Sequence, residues 1–139
     1  MNLKKKSKTA SAAKSATGLK FERYYTKEGV NPFDLFEYDL RTSVIKNPGG
    51  DTVFEMKNVE VPKEWSQVAT DILAQKYFRK AGVPQKGGAL GPETSIKQVA
   101  HRMANCWMQW GSRYGYFASE NDAKIFYDEP WASSCGRIC

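Results

Sequence analysis

Two cysteines four residues apart, Cys135 and Cys139 in Ser-Ser-Cys-Gly-Arg-Ile-Cys, form the one constellation in this 139-residue chain whose residue types and spacing could carry chemistry. Flanked by Ser133, Ser134 and Gly136, with Arg137 between them, they could act as mobile thiols cycling between dithiol and disulfide. They are the candidate redox thiols. A tetrahedral zinc site needs four ligands; Cys106 and His101 would complete the number, but without a recognised spacing. His101 is the sole histidine, and helical geometry turns it away from the Ile96/Met103/Trp107 stripe, with no acid or second histidine three or four residues away. It reads as an exposed or lightly paired side chain. Cys106 lies beside the apolar stripe and reads as a small hydrophobe, with nothing nearby to lower its pKa. Gly87-Gly88-Ala89-Leu90-Gly91 lacks the lysine and hydroxyl residue of a phosphate loop and the preceding strand of a dinucleotide fingerprint. No catalytic, cofactor-binding or metal residue is assigned.

The elements that must position these residues follow from periodicity. Phe36, Tyr38, Leu40, Thr42 and Val44 alternate with Glu37, Asp39, Arg41, Ser43 and Ile45, which places the first set on one face of a strand and all but Ile45 of the second in water. Asn47-Pro48-Gly49-Gly50-Asp51 is a turn, so about residues 36–46 should pair with 52–61 as a β-hairpin. That pairing sets Val44 opposite Phe54 and Thr42 opposite Met56. Beyond Met56 the apolar parity shifts to Val59 and Val61, which a one-residue bulge near Lys57-Asn58 would explain by setting Leu40 on Val59 and Tyr38 on Val61.

Trp65, Val68, Ala69, Ile72, Leu73 and Tyr77 recur at helical spacing, with Pro62 in the first turn, and predict a helix over about 63–80. Gly82 to Pro92 reads as a mobile connector. A second helix, about 95–110, starts at Thr94 or Ser95 and carries Ile96, Val99, Ala100, Met103, Trp107 and Trp110 in one stripe. A third, about 120–129, opens on a capping box at Ser119 to Asp122 and should stop at Pro130. The fold class is α+β, a hairpin packed on helices. Most of the seven tyrosines, seven phenylalanines and four tryptophans fall on these apolar faces, and so read as packing rather than base-stacking platforms.

Charge is distributed unevenly. Six lysines and no acid occupy the first twenty residues, whereas the other 119 hold fifteen basic and fifteen acidic residues, so the net charge of +6 belongs to the tail. Residues 1–18 are rich in Lys, Ser, Ala and Thr and should be disordered, because they cannot bury enough surface to offset the entropy of ordering. Neither a secretory signal nor an apolar span of about 18 residues is present in the sequence, which leaves no place for a membrane helix. Three cysteines without an export signal suit reduced, cytoplasmic thiols.

GVNPFDLFEYDLRTSVIKNPGG, VPKEWSQVATDILAQKYFRKAGVP, ETSIKQVAHRMANCWMQWG and YFASENDAKIFYDE stand in register with the N-terminal region of class II, adenosylcobalamin-dependent ribonucleotide reductases, which the chain resembles from about Gly18 to Glu129. The resemblance implies a domain over 19–129 of a cytosolic enzyme several times longer. Such an enzyme makes a thiyl radical with adenosylcobalamin and converts a ribonucleoside diphosphate to its 2'-deoxy form for DNA synthesis. It is re-reduced through cysteines by a thioredoxin-type partner. In that family the radical cysteine, reducing cysteines, proton-handling residues and most cobalamin, substrate and effector contacts lie on a ten-stranded α/β barrel beyond this region. The chain alone is therefore expected to be inactive, supporting the remainder of the reductase and its homodimer. After Glu129 the family continues toward Asn-Ser-Pro-Gln-Trp-Phe-Asn, whereas here PWASSCGRIC follows, so residues 130–139 are expected to be a divergent end produced by truncation or frameshift. Two other classes remain: a small basic protein binding nucleic acid non-specifically through its lysine tail, and a stand-alone thiol protein acting through Cys135 and Cys139.

Overall fold

The computed structural model describes residues 17–135; of the run 1–18 expected to be disordered, residues 1–16 lie outside them, as does Cys139, whereas Gly18 is ordered against the backbone of Phe117 and Ala118. The α+β class holds: two small antiparallel sheets and three helices in the order β1 (Tyr38–Lys46), β2 (Thr52–Pro62), α1 (Gln67–Ile72), β3 (Val83–Pro84), β4 (Leu90–Gly91), α2 (Ile96–Arg113) and α3 (Glu120–Cys135).

β1 and β2 form the expected hairpin, closed by Asn47, whose side chain accepts from the Asp51 N–H at 2.9 Å, and by Gly50 at φ 91°. The bulge foreseen at Lys57-Asn58 is present: Arg41 pairs with Val59 and Ser43 with Met56, so two residues of β2 face Thr42 alone. Asn58 takes φ 57°, a left-handed conformation that asparagine tolerates better than most residues. A second irregularity, unforeseen, lies beside the turn, where Lys46 pairs with Thr52 but Ile45 with Phe54, leaving Val53 extra. That single residue shifts each expected pair by one, so that Ile45, Ser43, Arg41 and Asp39 rather than Val44, Thr42, Leu40 and Tyr38 meet Phe54, Met56, Val59 and Val61; because side chains alternate with a period of two, the expected faces are exchanged from Leu40 to Val44, while Tyr38 still packs on the core. Leu40 and Val44 are 64% and 40% exposed, while Arg41, Ser43 and Ile45 turn inward. Arg41 is accommodated by donating to the backbone oxygens of Trp65 and Lys63. The Ser43 hydroxyl is fully buried with no hydrogen-bond partner.

Pro62 ends β2 rather than starting a helix, and Ser66 caps α1 by accepting from the Ala69 N–H at 3.2 Å. The helix then widens into a π turn over Leu73–Tyr77, closed by Phe78 N–H donating to Leu73 O at 3.1 Å. The extra residue in this turn brings Phe78 into the core and leaves Tyr77 outside. The expected stripe is corrected accordingly: Trp65, Leu73, Ala74 and Phe78 are buried, and Val68, Ile72 and Tyr77 are exposed. The stretch expected to be a mobile connector instead makes the β3/β4 hairpin, with Gln85 N–H donating to Ala89 O at 2.8 Å.

Ser95 caps α2 in a full capping box with Gln98, and Ser119 Oγ accepts from the Asp122 N–H at 3.2 Å to open α3. Pro130 does not stop α3, which runs on to Cys135. An interior proline costs about 3 kcal/mol, but the next two residues, Trp131 and Ala132, are buried, and Trp131 packs on Phe33 at 5.3 Å. Burial of an indole is worth a comparable amount, and it holds the chain in the helix. Val59 and Val61 at the hairpin base, Trp65, Leu73, Phe78, the start of α2 and Trp131 make one core cluster.

Residues 18–26 lie as a strap across α3 and the turn before it. Leu19 exchanges backbone hydrogen bonds with Tyr116 and Ala118, and Phe21 rests against the rings of Phe117 and Phe126. Gly18 meets the backbone of Phe117 and Ala118 so closely that no side chain fits there.

Candidate functional site

The structure does not bring the sequence-nominated thiols into a described site. Cys135 is the last residue of α3, Cys139 is outside the described residues, and Cys106 is a free, half-buried thiol on α2. His101 is exposed and pairs with Tyr127 of α3, Nδ1 to Oη, at 2.5 Å, in agreement with a lightly paired histidine. Burial, and after it the Asp128 carboxylate, push the Tyr127 phenol upward. Among the described residues no three His, Cys, Asp or Glu side chains converge to hold a metal. An open cleft of about 750 Å³ lies between Thr17, Ser112, Gly115 and Ser119, and another of about 380 Å³ between Val30, Phe33, Lys124 and Tyr127.

The concentrated electrostatics are in two sets of ionic pins. Glu93 has only 2% of its surface exposed. Its Oε1 accepts from Arg102 Nε at 2.9 Å, and its Oε2 from Arg102 Nη2 at 3.1 Å and the Arg79 N–H at 2.9 Å. Burial alone would raise this carboxyl, but the Arg102 and Arg79 hydrogen bonds and charges outweigh it and hold the group below the ordinary carboxylate range. The Glu93 N–H returns a bond to Arg79 O at 2.8 Å, so one residue ties the exit of the π turn to α2.

The second set seats the strap. Asp122 accepts from the Phe21 N–H, Asp128 from Arg23 Nη1, and Glu129 from the N–H groups of Tyr25 and Thr26, all between 2.9 and 3.0 Å. The Glu129 carboxyl would be raised by burial but is held low overall by the Thr26 hydroxyl and strap N–H groups; Asp122 is held low by the Ser119 hydroxyl first and the Phe21 N–H second. These acids escaped sequence reasoning because their partners are about a hundred positions away. Glu93 left one usable signal, a lone acid between Pro92 and the helix cap.

The remaining feature is apolar. Ile96 and Val99 at the start of the α2 stripe are buried, whereas Met103, Trp107 and Trp110 on the same stripe, and Tyr114 just past the helix, are 37, 42, 58 and 65% exposed. The described residues thus offer polar groups engaged in holding elements together and one uncovered aromatic face. Such an arrangement can dock another surface. No helix among them is long and apolar enough to cross a membrane.

The family model described as class II vitamin B12-dependent ribonucleotide reductase matches residues 39–132, from Asp39 in β1 to Ala132 in α3. Proteins named vitamin B12-dependent ribonucleotide reductase are similar to it: 42% identity in Bradyrhizobium diazoefficiens and 37% in Agrobacterium fabrum, each over 80% of this chain. A third, from Rhodopirellula baltica, is 38% identical over 84% of it. The chain spans about 11% of the length of each of these relatives. With a family match that covers the hairpin, the core and all three helices, the chain belongs to the class II, vitamin B12-dependent ribonucleotide reductases and corresponds to their N-terminal region.

Proposed function

We propose that this chain is the non-catalytic N-terminal scaffold of a cytoplasmic, vitamin B12-dependent ribonucleoside-diphosphate reductase. The full enzyme reduces a ribonucleoside diphosphate to the 2'-deoxyribonucleotide used in DNA synthesis. Adenosylcobalamin supplies the radical chemistry when bound, and a thioredoxin-type dithiol supplies the electrons. The observation that carries this reading is the match over 39–132 to enzymes about nine times longer. Among the described residues, the clefts and side chains do not fit the cofactor. A corrin with its nucleotide loop and adenosyl group exceeds the drug-sized ligands that clefts of about 300–1,000 Å³ enclose, and the two clefts here are open and of about 750 and 380 Å³. The only histidine is engaged with Tyr127. These residues therefore fold, pin and present a surface rather than react.

The test is to incubate the purified chain with adenosylcobalamin, each ribonucleoside diphosphate and a dithiol, and to follow both deoxynucleotide formation and the corrin absorption spectrum. No product and an unchanged spectrum are expected. Turnover by the chain alone would overturn the scaffold reading. So would failure of this chain to support reduction when it replaces the matched region of the Bradyrhizobium diazoefficiens relative.

A further inference from the structure

The apolar seam of α2 is longer than the surface it packs on. Ala100, Met103, Trp107, Trp110 and Tyr114 follow one another at steps of three and four, the spacing of a two-helix seam. The seam begins in the core, where Ile96 and Val99 are buried and Ala100 packs against the cluster, and then runs past it. Ala104 and Gly111 of the same helix are buried, Gly111 against the Phe117 ring just before α3, so the uncovered strip is bounded by covered positions. Arg113 closes the far end, 6.0 Å over the Tyr114 ring and without an ion pair among the described residues.

We propose that Met103, Trp107, Trp110 and Tyr114 seat a helix from the remainder of the reductase polypeptide, packed along α2 with a carboxylate placed to meet Arg113. This rests on the scaffold reading above and adds where the scaffold is joined. Area selects the occupant. At roughly 200 Å² for a large side chain, the four exposed fractions amount to about 400 Å² on one copy. Two copies of this chain packed face to face would bury about 800 Å² in all, no more than a crystal contact and below the ~1,200 Å² of stable partners. A segment on the same polypeptide needs no such area, because its effective concentration is in the millimolar range before any contact forms. The chain spans about 11% of its relatives, so most of such a polypeptide lies elsewhere.

Hydroxyl-radical footprinting read by mass spectrometry tests this in two proteins: the 139-residue chain alone, and a full-length chimera in which it replaces the matched region of the Bradyrhizobium diazoefficiens relative. Alone, the chain should sediment as a monomer with Trp107 and Trp110 oxidised freely. In the chimera their oxidation should fall by at least about ten-fold and stay low on dilution, while Leu40 and Val53 on the outer face of the hairpin label alike in both. Equal labelling of the tryptophans in both proteins would overturn the proposal. A dimer of the isolated chain that protects them, or protection lost on dilution of the chimera, would assign the seam to a second copy and overturn it as well. A chimera that protects the seam but reduces no nucleotide would sink the scaffold reading and leave the docking surface standing.

Discussion

Replacing Glu93 with glutamine keeps its shape and removes its charge, and should destabilise the fold more than any other single neutralisation of a carboxylate. The side chain is almost wholly buried and receives three hydrogen bonds, two from the guanidinium of Arg102, which is itself 30% exposed. Removing one member of a buried pair costs about 3–5 kcal/mol. The exposed part of Arg102 can recover water and the amide oxygen still accepts, so about 2–3 kcal/mol is expected here. For a folded part of this size, that should lower Tm by roughly 8–12 °C. The carboxyl is held below its ordinary value of 4.5 in the fold, so its contribution is complete above that pH and is lost as pH falls through the lower, folded value. The variant should therefore lose stability at neutral pH and show a flatter acid limb. The assay is thermal unfolding followed by circular dichroism from pH 3 to 8, with Glu37→Gln as control, since Glu37 pairs with Lys63 in solvent. A Glu93→Gln melting curve superimposable on wild type at pH 7 would refute the argument that this pin holds the π turn to α2.

Three further outcomes follow from other positions. Gly111→Ala drives a methyl group into the Phe117 ring and should cost about 1–3 kcal/mol, read as a lower urea midpoint. Asn58 at φ 57° predicts that Asn58→Ala loses about 1 kcal/mol while Asn58→Gly stays near wild type; equal melting temperatures would place the bulge elsewhere. Glu129→Gln should speed hydrogen exchange at the Tyr25 and Thr26 amides at neutral pH without changing exchange in the hairpin, and uniform exchange across variants would mean that this carboxylate does not seat the strap.

How legible the fold was depended on how local each determinant is. The capping serines at 66, 95 and 119 act within one turn, and two of the three were foreseen; the third was hidden because Pro62 offered an earlier start that the strand took instead. The bulge at Lys57-Asn58 announced itself through the parity of Met56, Val59 and Val61. The extra residue at Val53 sits beside Phe54, and either of the two apolar neighbours could face the core, so the sequence does not reveal it; it exchanged the faces of β1 from Leu40 to Val44. The π turn likewise hid in a helical pattern, since Tyr77 and Phe78 are equally plausible core residues until the backbone gains a residue between them and Leu73. Pro130 was misjudged because its local penalty is visible in sequence while the partner that offsets it, Phe33 beneath Trp131, is remote. For the same reason the thiols at 135 and 139 drew attention that Glu93, Asp128 and Glu129 did not.

The strap bears on the order in which the molecule can be assembled. Its bonds to α3 join residues 101 to 105 positions apart, and closing a loop of that size costs about 4 kcal/mol of chain entropy. During synthesis this early stretch has nothing to hold until the turn at Tyr116 to Ala118, and then α3, have emerged from the ribosome. Phe21 therefore waits in water while the hairpin and α2 take shape, until Phe117 and Phe126 cover it. Anything that delays α3 lengthens the interval in which that ring is open to chaperones or to neighbouring chains on the same message.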